Sequence, residues 1–471
     1  MNNILDKIIA HKKVELIQRK FHLPLDKFID TVQPSTNSFY QALKNADVGF
    51  ILECKKASPS RGLIRTDFNL AAICDVYKNH ASCISVLTDE QYFQGSFDYL
   101  NTVTQLVSQP VICKDFFIDP YQVYLARHNG ANAILLMLSV LDDNEYQQLA
   151  TLATTLNMSI LTEISNEEEM HRALALKANI IGINNRNLRD LSTDTRRTLE
   201  LVAFIPADVR NDLVVISESG INNHQQIKQL SKVADGFLVG SSLMAQDDIN
   251  AACLRLIKGE HKICGMTKAQ DAVTAQQHGA TFGGLIFYAK SPRYIDVDHA
   301  ANIISAAPLN FVGVFVNETA AKVAEIASTL KLFAVQLHGS ETPEYIDQLR
   351  PTLPKGCQIW KAKAIKDQLP NFDENVDRFV LDTYHQDLPG GSGKTFNWSL
   401  LQQLPADKLF MIAGGINQTN ALQALVHISL GLDINSGVES QPGNKSPDKI
   451  KQILTLINTD SAAHSQERTS V

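Results

Sequence analysis

Gly49-Phe-Ile-Leu-Glu-Cys-Lys-Lys56 holds a short apolar run, Gly49–Cys54, that turns to charge at its end, and it opens the first of two sets of eight such runs. The first set continues with Cys83–Asp89, Pro110–Phe116, Ala133–Leu138, Ser159–Ile164, Ile180–Asn185, Val214–Gly220 and Gly236–Ser242. The second comprises His261–Thr267, Phe282–Phe287, Phe311–Val316, Ala334–Gly339, Gln358–Ala364, Arg378–Thr383, Leu409–Gly415 and Gly431–Gly437. Stretches of helical periodicity separate the runs, which is the pattern of parallel β/α architecture. A doubly wound open sheet alternates in the same way but does not explain two successive sets of eight without a large insertion. The expectation is an α/β chain of two consecutive (β/α)₈ barrels.

A length of 471 residues accommodates both, at roughly 200 to 250 residues per barrel. The expected domains are 1–258, with Met1–Asp47 forming extra helices over the barrel or its mouth, and 261–458, joined by Lys258-Gly259-Glu260. The polar stretch 459–471 is expected to fray. The net charge of −7 is spread without long charged blocks, which argues against nucleic-acid or membrane-surface partners; a monomer is expected. Seven scattered cysteines without a C-x-x-C pair point to a reducing, cytoplasmic compartment. Neither a signal-peptide run nor an apolar stretch of membrane-spanning length is present.

Barrel enzymes place their working groups at the C-terminal strand ends. In the first set, the period of two puts Glu53 and Lys55 inside the mouth and Cys54 towards the helices. Lys114 and Asp115, Glu163, Asn184 to Arg186, and Ser217 to Gly220 end four further runs. Any one of these could be a solvated rim residue. Two lysines and at least two glutamates in one mouth, however, shift each other's proton affinities, which is how a site holds an acid and a base at one pH. Ser219-Gly220 and Gly240-Ser241-Ser242 end adjacent runs with small residues whose N–H groups can approach a dianion, so a phosphate site is expected there.

These residues carry a resemblance. LECKKASPSRG (52–62), CKDF (113–116), LTE (161–163), GINNRNL (182–188), SESGI (217–221) and VGSSLM (239–244) resemble indole-3-glycerol phosphate synthase across the first barrel. The resemblance implies that Lys114 is the general acid on the substrate ketone and Glu163 the base or proton relay. Lys55 would pair with the anthranilate carboxylate or serve as the acid of dehydration. Glu53, Asn184 and Glu218 would orient these groups, and Ser58, Gly220, Gly240 and Ser241 would hold the phosphate, with Arg186 and Ser219 beside them. Ring closure, decarboxylation and dehydration need only acids and bases, so no metal or organic cofactor is expected.

In the second set the mouth reads as less charged. Cys264, Arg293, His338 and Asp382 stand at or after strand ends, and Gly414-Gly415 and Ser436-Gly437 repeat the phosphate turns. A cysteine in a strand is ordinarily a small buried hydrophobe; its place opposite a lone aspartate makes it a candidate base. Gly390-Gly-Ser-Gly-Lys-Thr395 ends like a P-loop, but Leu388 occupies the required first glycine, so it reads as a flexible active-site loop. KICGMT (262–267), GLIF (284–287), SPR (291–293), VQLHG (335–339), LDT (381–383), GGSGKTFNW (390–398), AGGI (413–416) and NSGVE (435–439) resemble phosphoribosylanthranilate isomerase.

That resemblance implies an Amadori rearrangement of a phosphosugar, with Asp382 protonating the ring oxygen, Cys264 taking the C2′ proton, and Arg293 and His338 binding substrate. The fusion in this order looks like the bifunctional enterobacterial-type enzyme of tryptophan biosynthesis. A histidine-pathway pair of barrels would carry paired aspartates where this chain has Lys114 and Cys264, and a catalytically silent binding protein would not need Lys114, Glu163, Cys264 and Asp382 together.

Overall fold

The structure, a computed structural model, describes residues 4–187, 191–372, 374–383, 395–405, 408–427 and 431–463, with backbone only for 459–463. Leu188, the segment Tyr384–Pro389, the greater part of the glycine-rich loop at Gly390–Lys394, and the tail past Ala463 lie outside the described residues. Among the described residues no helix is long and apolar enough to cross a membrane.

Eight parallel strands close the first barrel: β1 (Gly49–Cys54), β2 (Cys83–Leu87), β3 (Val111–Lys114), β4 (Ala133–Met137), β5 (Ser159–Ile164), β6 (Ile180–Asn184), β7 (Val214–Glu218) and β8 (Gly236–Val239). The ring is sealed by β1 against β8, where Gly49 pairs Gly236 and Leu52 pairs Val239. Alternate residues fill the interior, among them Ile51, Ile112, Leu135, Leu161, Ile180 and Leu238. Helices between strands start on side-chain caps; Asp142 and Glu145, for example, form a reciprocal capping box.

Two helices precede this barrel. Helix α2 (Phe39–Lys44) inserts Phe39 and Leu43 into the core at the N-terminal end of β1, where the Leu43 side chain lies against Gly49. Helix α1 (Ile4–His22) brings Ile4, Leu5 and Ile8 to the opposite, C-terminal mouth. What anchors α1 is a buried lysine: Lys12 Nζ lies 2.9 Å from Asp89, 2.9 Å from Asp115 and 2.7 Å from Glu15. Burial alone would discharge this ammonium, but the three carboxylates outweigh it and hold the amine well above its ordinary value.

The second barrel repeats the order with β9 (Lys262–Ile263), β10 (Phe282–Ile286), β11 (Asn310–Phe315), β12 (Ala334–Leu337), β13 (Gln358–Ile365), β14 (Arg378–Thr383), β15 (Phe410–Ile412) and β16 (Asp433–Ile434). β16 pairs with β9, and the ring is completed by a single parallel bridge between Ile412 and Leu432. Inside, Phe282, Val312, Trp360, Val380 and Met411 form one layer and Cys264, Ile286 and Val314 another nearer the mouth. At the base, the Arg378 guanidinium lies 4.6 Å over the Trp360 ring and pairs with Glu260.

Several strands are shorter than the apolar runs, while β1, β5 and β14 keep their full length and β13 gains Ile365. β9 stops at Ile263 and not Thr267, β15 at Ile412 and not Gly415, β16 at Ile434 and not Gly437, and β7 at Glu218 and not Gly220. The reason is conformational: after β7, β9 and β15, Ser219 (φ 68°), Gly220 (79°), Gly265 (69°), Gly414 (78°) and Gly415 (66°) are left-handed and cannot continue a ladder, and after β16 Asn435 leaves the extended region at ψ −87°. The anticipated connector is a helix end, because the helix Ile249–Lys258 runs into Gly259 at φ 86°. The last helix, Pro447–Ala463, extends its backbone five residues past the start of the expected tail, since 459–463 contain no Gly or Pro to stop it.

Removing Lys12 strands two buried carboxylates. Lys12→Ala is expected to cost about 3–5 kcal/mol, against within about 0.5 kcal/mol for the exposed Lys7→Ala, measured as urea denaturation by circular dichroism. Equal midpoints for the two variants would remove Lys12 as the anchor of α1.

Candidate active sites

The first mouth encloses a cavity of about 450 Å³. Five strands converge on it, β1 with Glu53, β3 with Lys114, β5 with Glu163, β6 with Asn184 and β7 with Glu218. Lys114 Nζ stands 3.5 Å from both Glu163 and Glu218. Asn184 donates to Glu163 Oε1 at 3.1 Å, and Lys55 lies 3.0 Å from Glu53. The period of two holds here: Glu53 and Lys55 line the cavity, while Cys54 turns outward towards Cys74 on the helix Leu70–Tyr77.

Three carboxylates around one ammonium do not share its charge equally. Burial pushes the Glu218 carboxyl up to about 8, against the pull of Lys114 and with help from Glu163 and Glu53. Burial acts on Glu53 in the same sense, but Lys55 and Lys114 outweigh it and leave that carboxylate below its ordinary value. Lys114 itself is buried, yet Glu218, Glu163 and Glu53 hold it above the usual range for an amine. The cluster therefore sets a carboxyl of raised proton affinity, an ammonium and a carboxylate of lowered proton affinity side by side.

Glycines make the space. A Cβ at Gly182 would meet Glu218 Oε1 at 2.0 Å, and one at Gly240 would meet Glu53 Oε2 at 2.5 Å. Ser58, Ser219, Gly220, Gly240 and Ser241 all line the same cavity, Ser58 from the hairpin Ala57–Ser58 with Gly62–Leu63. Arg186 lines it too, its guanidinium donating to the Leu191 carbonyl at 2.7 Å. The sequence reading did not single out Arg61, which joins this rim from the hairpin; a basic residue between Ser58 and Gly62 was the available signal. Asp115, expected among the mouth charges, is taken up by Lys12.

The second mouth holds a cavity of about 70 Å³ bounded by described residues, with Cys264, Arg293, His338, Asp382, Gly414, Gly415 and Ser436 on its walls. His338 Nε2 lies 3.4 Å from Asp382 Oδ2. Arg293 makes two bonds to Glu439, at 2.8 and 2.7 Å, so its guanidinium is fixed. Gly437 does not line this cavity; a Cβ there would strike the Ile416 carbonyl oxygen at 2.0 Å, so its place is a packing contact beside the phosphate turn.

The expectation of a less charged mouth needs correction. Lys262, on the inward face two residues before Cys264, donates to Asp433 at 2.8 Å and Gln336 at 2.7 Å. Lys445 reaches Glu439 at 2.9 Å and Asn435 Oδ1 at 2.8 Å. All four charged side chains are buried. They escaped notice because Lys262 and Asp433 precede the strand ends, where a charge looks like a rim residue. Burial, then Asp433, pushes the Cys264 thiol up, and Lys262 and Lys445 pull it back.

Each barrel thus presents acid and base groups at its C-terminal rim beside a glycine turn suited to phosphate, the arrangement of phosphosugar enzymes on this fold. Residues 5–256 match the profile of indole-3-glycerol phosphate synthase and residues 261–455 that of N-(5'phosphoribosyl)anthranilate (PRA) isomerase. The "Tryptophan biosynthesis protein TrpCF" of Salmonella typhi is 53% identical over 458 residues, 97% of this chain and 99% of that protein. Its namesake in Vibrio cholerae is 51% identical over 458 residues, 97% and 96% of the two chains, and that of Haemophilus influenzae 50% over 466 residues, 96% and 97%. The chain belongs to the TrpCF family, bifunctional enzymes of tryptophan biosynthesis with the synthase N-terminal and the isomerase C-terminal.

Glu218 offers a check on the electrostatics. A carboxyl raised in the folded state favours folding while it is protonated, so its contribution is full below the ordinary value near 4.5 and is lost as pH rises through about 8. Glu218→Gln is expected to flatten the decline in melting temperature between pH 5 and about 8 relative to the unsubstituted protein. Parallel pH curves for the two would contradict a raised carboxyl.

Proposed function

We propose that Lys114 is the general acid of the synthase reaction, protonating the substrate ketone as the ring carbon attacks it. Glu163, held by Asn184, serves as base or proton relay in closure and dehydration. The observation that carries this reading is the position of Lys114 Nζ, 3.5 Å from each of Glu163 and Glu218, in a cavity wide enough for a phosphosugar. Loss of CO₂ then restores the aromatic ring, and loss of water completes the indole. Lys55 meets the anthranilate carboxylate or gives the proton of dehydration, with Glu53 and Glu218 orienting both lysines. Ser58, Arg186, Ser219, Gly220, Gly240 and Ser241 take the phosphate.

In the isomerase, Asp382 protonates the furanose ring oxygen, the ring opens to a cationic Schiff base, and Cys264 removes the C2′ proton to leave the aminodeoxyribulose. Arg293 and His338 contact substrate, and Gly414, Gly415 and Ser436 form the phosphate turns, with Gly437 packed behind them against Ile416. The catalytic units are 1–258 and 261–458, in a monomer of a reducing, cytoplasmic compartment that binds small phosphosugars and no nucleic acid. Seven cysteines without a disulfide and a net charge of −7 support those assignments.

Lys114→Ala is expected to lower indole formation by about 10²–10⁴-fold with the isomerase rate unchanged, and Asp382→Asn to do the reverse, each half-reaction assayed separately. A folded variant that lost both activities would overturn the independence of the two sites.

A further inference from the structure

Lys262 is wholly buried below the isomerase site, on the face it shares with Cys264, and none of the roles above uses it. Its ammonium has three donors. One goes to Asp433, its register partner on β16, at 2.8 Å, and one to Gln336 Oε1 at 2.7 Å. The Cys264 sulfur is the neighbour on the third side, close enough to act on the ammonium electrostatically. Gly284 on the neighbouring strand leaves the room: a Cβ there would lie 2.6 Å from Cys264 Sγ and 2.8 Å from Lys262 Cε.

The second link follows from Gln336. An ammonium has no acceptor, so the amide must turn its oxygen to Lys262 and its NH₂ the other way. That NH₂ faces His338 Nδ1 at 3.3 Å. Nδ1 is then the acceptor, the ring proton sits on Nε2, and Nε2 faces Asp382 Oδ2 at 3.4 Å. One buried ammonium thereby reaches both ends of the reaction.

We infer that Lys262 is a positioning residue of the isomerase: it lowers the cost of the Cys264 thiolate that takes the C2′ proton and, through Gln336, fixes the His338 tautomer that donates to Asp382. This deepens the reading of Cys264 as base and Asp382 as acid, and rests on it. Nε2–H stabilises the carboxylate that Asp382 becomes when it gives up its proton. The charged groups facing Cys264 are Lys262 from its own strand, Asp433 from β16, Lys445 from the hairpin Glu439–Gln441 with Asn444–Lys445, and Arg293 from the loop after β10. Asp433 opposes the anion and the three cations favour it, so Lys262 and Asp433 should act on the thiol with opposite sign.

The test compares isomerase kcat/KM against pH for the full-length enzyme, Lys262→Met and Asp433→Asn. Carbamidomethylation of Cys264 by iodoacetamide, followed by mass spectrometry, reads the same ionisation without turnover. Lys262→Met is expected to move the acidic limb and the alkylation midpoint up by about one pH unit or more, with kcat/KM at pH 7 down about 10²-fold and partly recovered at pH 9. Asp433→Asn is expected to move both down. Both tryptophans, Trp360 and Trp398, lie in this barrel, so their fluorescence confirms that it is folded in each variant. Midpoints that stay put, or that move in the same direction in folded variants, would overturn the role of Lys262. A Cys264→Ala enzyme with undiminished isomerase activity would instead overturn the assignment of the base.

Discussion

A ring of eight parallel strands brings every strand end to one rim and points every second side chain into an interior too narrow for bulk water. Charge placed there is poorly screened and must be matched by its neighbours. The first barrel sets Lys114 among Glu53, Glu163 and Glu218 and Lys55 against Glu53, and burial, with Glu163 and Glu53 nearby, raises the proton affinity of Glu218. The second pairs Lys262 with Asp433 and Lys445 with Glu439, and sets its thiol among them. Both chemistries follow from how each interior settles its surplus.

Much of this was legible in the chain. Apolar runs count the strands, and a charge that interrupts such a run at its C-terminal end has nowhere to go but the mouth, which is why Glu53, Lys114, Glu163 and Glu218 stood out together. The strand lengths were not legible, because a left-handed Gly414 or Ser219 reads like any small residue until its φ is known. Nor was the pairing of Lys12 with Asp89 and Asp115, since it joins a helix to two strand ends that lie far apart in sequence. Lys262 and Asp433 were missed because they lie at strand beginnings, where charge is ordinarily solvated.

The same reasoning separates the glycines into two kinds. Gly220, Gly414 and Gly415 are needed for backbone conformation, and a side chain there is strained wherever it points. Gly182 and Gly284 lie within strands and Gly240 just ahead of the short helix Ser241–Met244, and what each lacks is bulk beside a reacting group: Glu218, Cys264 and Glu53 in turn.

Natural variation at Gly182 is therefore under a form of selection that foldability does not register. A single added methyl there displaces the tip of the flexible Glu218 side chain, whereas at Gly284 it would also meet the Cys264 backbone at 2.9 Å and at Gly240 the Glu53 Cβ at 2.9 Å, so it is at Gly182 that the protein would be made, would accumulate and would melt much as before. A census of tolerated variants based on abundance would count that substitution as harmless, while a strain dependent on the enzyme for growth without tryptophan would not survive it.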